Sequence, residues 1–438
     1  MIKNTDKENS NNTKTIKYVT HTIDGKSIET YKKKVRLRIF LVSQDINNKT
    51  KSEYENNIIY KMALNFEKKG KLDEAENLYL VCLNNSFNLL DIFLRYAGIL
   101  FKKGEYNSVI NVYLRAIKIF PDSSDLYTNL SVTFLKVGKL DKAKDYAIKS
   151  LNLNNNSANA NSILGSILKD QNNLVEAENY IRKSVELDPD NVNYILKLTC
   201  INRDLGDLNK AYSLCLNALR LQPDLANAHS ILGIIQRDLS DFDEARTSLL
   251  KAIEIEPCNE IYYLNLSAVY VDIGDLHTAE TMIRKAISIN SNSPEAHLNL
   301  GNILRDSGRI IESRYSIEKA ITINPNLAMA YYALSIVSKS SFNEDFYRYL
   351  FSDEILLNQS SIGLSHVYFA RSNIKHNEKN YQESQSYLKK ANQYKSSIYN
   401  AESESFIQKS KRLNLQLSNL QLMDSNPTIQ NLNHIFIV

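Results

Sequence analysis

Along residues 56–327 apolar residues gather in paired runs, each with the three- and four-residue spacing of a helix, and the arrangement returns every 34 residues. In the copy at 226–259, ANAHSILGIIQRDLSDFDEARTSLLKAIEIEPCN, Ile231, Leu232, Ile234 and Ile235 surround Gly233, and Leu249 and Ile253 follow in a second run. The spacing predicts two antiparallel helices, Ala226–Leu239 and Asp241–Ile255, each with one buried face. Between the runs stand Gly70, Gly104, Gly138, Gly206, Gly274 and Gly308, with Asn172 and Ser240 at the two remaining places. A residue there must take positive φ to end the first helix, which asparagine tolerates better than serine.

Small residues explain why the frame is so regular. Five positions after the turn come Ala75, Val109, Ala143, Ala177, Ala211, Ala245, Ala279 and Ser313; seven later come Cys82, Ala116, Ser150, Ser184, Ala218, Ala252, Ala286 and Ala320. Where two helices cross closely, any side chain beyond a methyl forces the axes apart, so these positions mark helix contacts. Pro121, Pro189, Pro223, Pro257 and Pro325 close most units. Eight units in an unbroken frame resemble the tetratricopeptide repeat. That resemblance implies an all-α, right-handed superhelical solenoid of about 9 to 10 hairpins, with an inner groove lined by the first helix of each. It implies a protein or extended peptide as ligand, and neither cofactor nor catalysis.

The flanks depart from the pattern. Residues 1–55 hold twelve Lys or Arg against seven Asp or Glu, an excess of five that accounts for the whole net charge of +4 and leaves the rest close to neutral; this arm is expected to be flexible. Its segment Tyr31–Val42, YKKKVRLRIFLV, joins a basic cluster to an apolar tail; without interleaved aromatics it reads as a solvated tail rather than a contact with nucleic acid or an anionic membrane surface. A partial ninth unit and a divergent helix and loop occupy 328–364. Residues 365–398 fit the hairpin again, shifted by three, with Ser384 and Ala391 in the small positions. Residues 399–438 are expected to form a polar capping helix, a linker and a short strand-like end. No apolar run reaches the roughly 18 residues that span a bilayer, and the first residues lack the apolar core of a secretory signal. A soluble, cytoplasmic chain is expected. Cys82, Cys200, Cys215 and Cys258 lack metal-ligand spacing and suit reduced thiols in a helical core.

Projected onto the first helix, Asn159, Asn193 and Asn227 share one inward position, and Asn129, Asn265 and Asn299 another. Their amides both donate and accept, which suits the backbone of an extended peptide. Near the helix end runs a charge ladder: Lys169 with Asp170, Arg203 with Asp204, Arg237 with Asp238, Arg305 with Asp306, and Asp272 after Val271. These residues either join the groove or pair with each other between repeats, each exposed pair being worth under about 1 kcal/mol. Some tetratricopeptide domains clamp terminal carboxylates with groove lysines; here Tyr60, Leu94, Thr128, Ser162, Leu196, Ser230, Leu264 and Leu298 occupy a place where lysine is needed, which argues against that ligand.

No catalytic constellation is visible. His229, His277 and His297 lie on separate helices without ligand-spaced partners, and neither a phosphate loop nor a nucleophile elbow occurs. The end of the chain holds a second resemblance. Residues 365–438, closing in the apolar run Ile435–Val438, are similar to the late hairpin, linker and I-F-I-V strand that lead into the catalytic domain of bacterial tetratricopeptide–sulfotransferase fusions. The loop G-x-P-R-S-G-[ST] that grips the sulfuryl donor there would begin just past Val438, so this resemblance implies a repeat half without a donor site. The leading expectation is a non-catalytic interaction scaffold, with the sulfotransferase repeat half as the alternative. A repeat portion of a peptide-glycosylating enzyme is a third possibility that the asparagines alone suggest.

Overall fold

The structure, a computed structural model, describes residues 48–338, 343–357 and 359–396. The basic segment Tyr31–Val42 and the end Ile435–Val438 both lie outside them. Contacts group the chain into two units, Met1–Pro189 and Asp190–Val438. The first unit contains α1 (Asn48–Lys68), α2 (Leu72–Asn84), α3 (Leu90–Lys102), α4 (Tyr106–Ile119), α5 (Ser124–Lys136), α6 (Leu140–Leu153), α7 (Ala158–Asp170) and α8 (Leu174–Leu187). The second opens with α9 (Val192–Asp204), α10 (Leu208–Leu221), α11 (Ala226–Asp238), α12 (Phe242–Ile255), α13 (Glu260–Ile273), α14 (Leu276–Ile289), α15 (Pro294–Asp306) and α16 (Ile310–Ile323). Each odd-numbered helix pairs with the next to make a hairpin, and successive hairpins stack as a repeat solenoid within each unit.

The turns form as the sequence requires. All six turn glycines take positive φ, and Asn172 at 60° and Ser240 at 68° take it without glycine's freedom. Helix crossings are equally clear: Ala75, Ala143, Ala177, Ala211, Ala245 and Ala279 are fully buried, and at Ser313 the hydroxyl donates to the Gly301 carbonyl at 2.7 Å. Cys82 and Cys215 are buried and Cys258 is exposed, all as free thiols.

Glycine has two separable roles inside these helices. At Gly233 a methyl group would sit 2.6 Å from Leu249 Cγ and 3.0 Å from the Ala245 carbonyl oxygen, so the helices meet where only hydrogen fits. At Gly98 the same methyl meets nothing within 4 Å. Gly98→Ala is therefore expected to stabilise by up to about 1 kcal/mol through helix propensity alone. Gly233→Ala gains the same propensity but overpacks against a fully buried leucine, a cost of about 1–3 kcal/mol, and should melt below wild type. Paired thermal melts check the sign, and a shift in the same direction for both would overturn the packing argument.

Beyond α16 the frame changes. Helix α17 (Ala328–Val337) packs chiefly on α19 (Ser361–Asn377). Between them lie the short α18 (Glu344–Phe351) and a 3-10 turn, Glu354–Leu356, whose Leu350 and Ile355 are fully buried against Ala330, Leu334 and Val367. After α19 the chain turns at Lys379, φ 61°, and residues 381–396 are helical. Lysine thus fills the turn position that the shifted frame demands, five before Ser384, and Ser384 and Ala391 are buried as the small-residue pattern predicts.

Candidate functional site

First helices form the more closely spaced layer of each unit. In the first unit α5 touches α7, and in the second α9 touches α11, α11 touches α13 and α15 touches α17; among the described residues no pair of second helices makes comparable contact. Closer spacing puts the first helices on the inside of the local curve, which fixes which side chains face a ligand.

The asparagines fall on this layer at two heights. Asn159, on α7 of the first unit, and Asn193 and Asn227, on α9 and α11 of the second, are the second residue of their helix and are exposed. Asn129 on α5, and Asn265 and Asn299 on α13 and α15, are sixth in theirs and half-buried. Asn265 Nδ2 donates to Ser230 Oγ at 3.0 Å, so this amide ties one hairpin to the preceding one. Among the described residues the side-chain amides of Asn193, Asn227 and Asn299 have no protein partner.

The charge ladder pairs internally. Arg203 reaches its neighbour Asp204 at 3.1 Å and Asp238, one repeat on, at 3.7 Å; Arg237 reaches Asp272, again one repeat on, at 2.5 Å. The rule is a cation bonding the anion of the next hairpin, and Val271 breaks it. Arg305 turns instead to Asp306 at 2.9 Å and to Asn302 Oδ1 at 3.2 Å. These side chains are about a third exposed, so the pairs set register between hairpins more than they add stability.

One polar cluster escapes the repeat pattern. On α1 and α3, Arg95 binds Asp91 at 2.6 Å and Glu67 at 3.2 Å, Tyr60 donates to Asp91, and Tyr79 on α2 donates to Glu67 at 2.6 Å. Partial burial pushes the Asp91 carboxyl up, but the bonds from Tyr60 and Arg95 outweigh it and hold the group below its ordinary value. Burial, then the Glu67 carboxylate, pushes the Tyr79 phenol well up. The sequence signal was an arginine at the sixth helix position, where later units carry Asn129, Ile163, Lys197, Ile231, Asn265 and Asn299. Every member is satisfied within the cluster, so it braces the first two hairpins.

Two of the three candidate histidines bond backbone carbonyls, while His277 is exposed on α14. His229 Nε2 lies 2.8 Å from the Pro223 carbonyl and His297 Nε2 lies 3.1 Å from that of Ser291, the same contact in two hairpins. Among the described residues no group of His, Cys, Asp or Glu is placed to hold a metal, and no helix is long and apolar enough to cross a membrane.

Sequence profiles of the tetratricopeptide repeat match residues 112–145, 158–191, 226–258, 261–293, 294–327 and 365–397. The last match carries the shifted hairpin. No curated protein matches in sequence. Among solved structures, the chain is similar to yeast Tom70, at 14% identity over 84% of this chain and 99% of that one with a TM-score of 0.47. It is also similar to the IFIT1 monomeric mutant with Gppp-AAAA, at 15% identity over 84% and 86% with a TM-score of 0.49. A third is YrrB, a protein with an unusual peptide-binding site, at 21% identity over 42% and 95% with a TM-score of 0.34. The profile matches, the 34-residue frame and the stacked hairpins agree: the chain carries tetratricopeptide repeats, a scaffold suited to protein–protein interaction.

Proposed function

We propose that the chain is a non-catalytic scaffold whose residues 190–338 hold an extended segment of a partner protein along α9, α11, α13 and α15. The observation that carries this reading is the contrast between two sets of polar groups on one surface. Arg203, Arg237, Arg305, Asp204, Asp238, Asp272 and Asp306 are occupied with one another or with Asn302, whereas the amides of Asn193, Asn227 and Asn299 are unpaired among the described residues. An amide offers the donor and acceptor that an extended peptide backbone needs, so it can grip a segment without reading its side chains. Asn129 and Asn159 offer the same groups in the first unit. Asn265 contributes through Ser230, holding two hairpins at the spacing that the ligand spans.

A peptide selected from a display library on the full chain provides the probe. Asn193→Ala, Asn227→Ala and Asn299→Ala together should weaken its binding at least about tenfold, since each neutral hydrogen bond is worth roughly 0.5–1.5 kcal/mol. The circular dichroism should not change. Backbone N-methylation of the peptide should weaken binding to a similar degree. Equal affinity of the triple variant would sink the proposal.

A further inference from the structure

Comparing one helix position along the frame brings out a charge reversal within the first unit, where α1, α3 and α5 end on lysine and α7 ends on Asp170. In the second unit, the residues that end α9, α11 and α15 are Asp204, Asp238 and Asp306, each bonded by an arginine. In the first unit, the residues that end α1, α3 and α5 are Lys68, Lys102 and Lys136. All three are exposed, and among the described residues none has an ion pair or hydrogen-bonding side-chain partner. The next residue in one of these turns behaves differently: Lys103 bonds both Asp73 and Glu76. Glu67, the residue before Lys68, and Asp91 on the same layer are already taken by Arg95, Tyr60 and Tyr79. Three cations in register, one per hairpin, are left without anions.

We infer that the first helices of the first unit bind an extended acidic polypeptide, with one carboxylate of the ligand against each of Lys68, Lys102 and Lys136. Packed helices lie about 10 Å apart. A ligand in the polyproline II conformation advances about 3.1 Å per residue with three residues per turn, so acidic side chains at every third position lie on one face about 9 Å apart and match the row. A nucleic-acid backbone fits less well, because continuous phosphates running along the row would next meet Asp170, exposed at the end of α7. Charge also rules on this chain's own N-terminal arm, which is basic and would be repelled. The site rests on the scaffold reading above but uses none of the asparagines, so each can fail separately.

The test is fluorescence anisotropy on the full chain with a labelled peptide carrying Glu at every third position, its Gln counterpart, and a single-stranded oligonucleotide. The Glu peptide should bind about tenfold tighter than the Gln peptide, the preference shrinking with added salt. The variant combining Lys68→Gln, Lys102→Gln and Lys136→Gln should lose that preference with its helicity retained. A variant of equal charge change on second helices, Lys118→Gln, Lys142→Gln and Lys149→Gln, should keep it. Equal binding of both peptides, an unchanged preference in the first variant or an equal loss in the second would overturn the inference. So would tighter oligonucleotide binding that depends on the same three lysines.

Discussion

Replacing Ala245 by tryptophan is expected to lower the unfolding free energy by more than about 3 kcal/mol, beyond the usual cost of overpacking. Ala245 is fully buried on α12, and its carbonyl oxygen lies where the backbone of α11 passes closest, 3.0 Å from the point a Gly233 methyl would occupy. An indole at Ala245 has no room at that crossing unless the hairpin opens. In a stacked array the damage should be local first. Hydrogen exchange should accelerate in α11 and α12 and then in α10 and α13, which pack on that hairpin, before it does in α16. Leu250→Trp, on the exposed face of the same helix, separates size from site: that residue is 47% exposed, and its melt should stay within about 0.5 kcal/mol of wild type. Matching melts for Ala245→Trp and wild type would refute the crossing.

What could be read from the sequence, and what could not, follows from how each feature is encoded. A crossing that admits only a methyl or a hydrogen recurs in every hairpin, so Ala245 and its counterparts were legible as positions, and even Ser313 fits because its hydroxyl finds the Gly301 carbonyl. The turn at Lys379 was concealed by residue type, since a lysine with positive φ carries no signal that a glycine would. The ladder was visible as residues but not as partners. Sequence shows Arg237 beside Asp238, while the structure sends Arg237 across to Asp272 one repeat on, and leaves Arg203 and Arg305 bonded to their adjacent aspartates. Arg95 and its carboxylates were missed because they occur once, and a periodic reading finds only what repeats. The same holds for the side chain that organises the last part of the described chain.

Replacing Arg371 by methionine is expected to remove about 3–5 kcal/mol from the packing of residues 344–396. Arg371 is 5% exposed on α19, with no carboxylate among its bonding partners. Its Nε donates to the Leu350 carbonyl at 2.8 Å and its Nη2 to that of Ser352 at 2.7 Å, so it caps the C-terminal end of α18, where the helix dipole favours a cation. The guanidinium also lies over Phe351, Tyr368 and Tyr387 at 5.7, 5.5 and 5.8 Å, and these rings replace part of its lost hydration. Burial draws its pKa below the ordinary arginine value, yet an arginine stays charged in proteins. Methionine keeps much of the volume and loses both charged hydrogen bonds, leaving two carbonyls at a buried helix end without donors. Arg371→Lys keeps the charge but not the planar fork that reaches two carbonyls and three rings at once, so its loss should be intermediate. Limited proteolysis within 343–357 and exchange of the α18 amides measure the effect, which should leave the protection of α9 to α12 unchanged. If Arg371→Met protects α18 as well as wild type, the insertion between α17 and α19 is held by its apolar contacts alone, through Leu350 and Ile355, and the buried cation is dispensable.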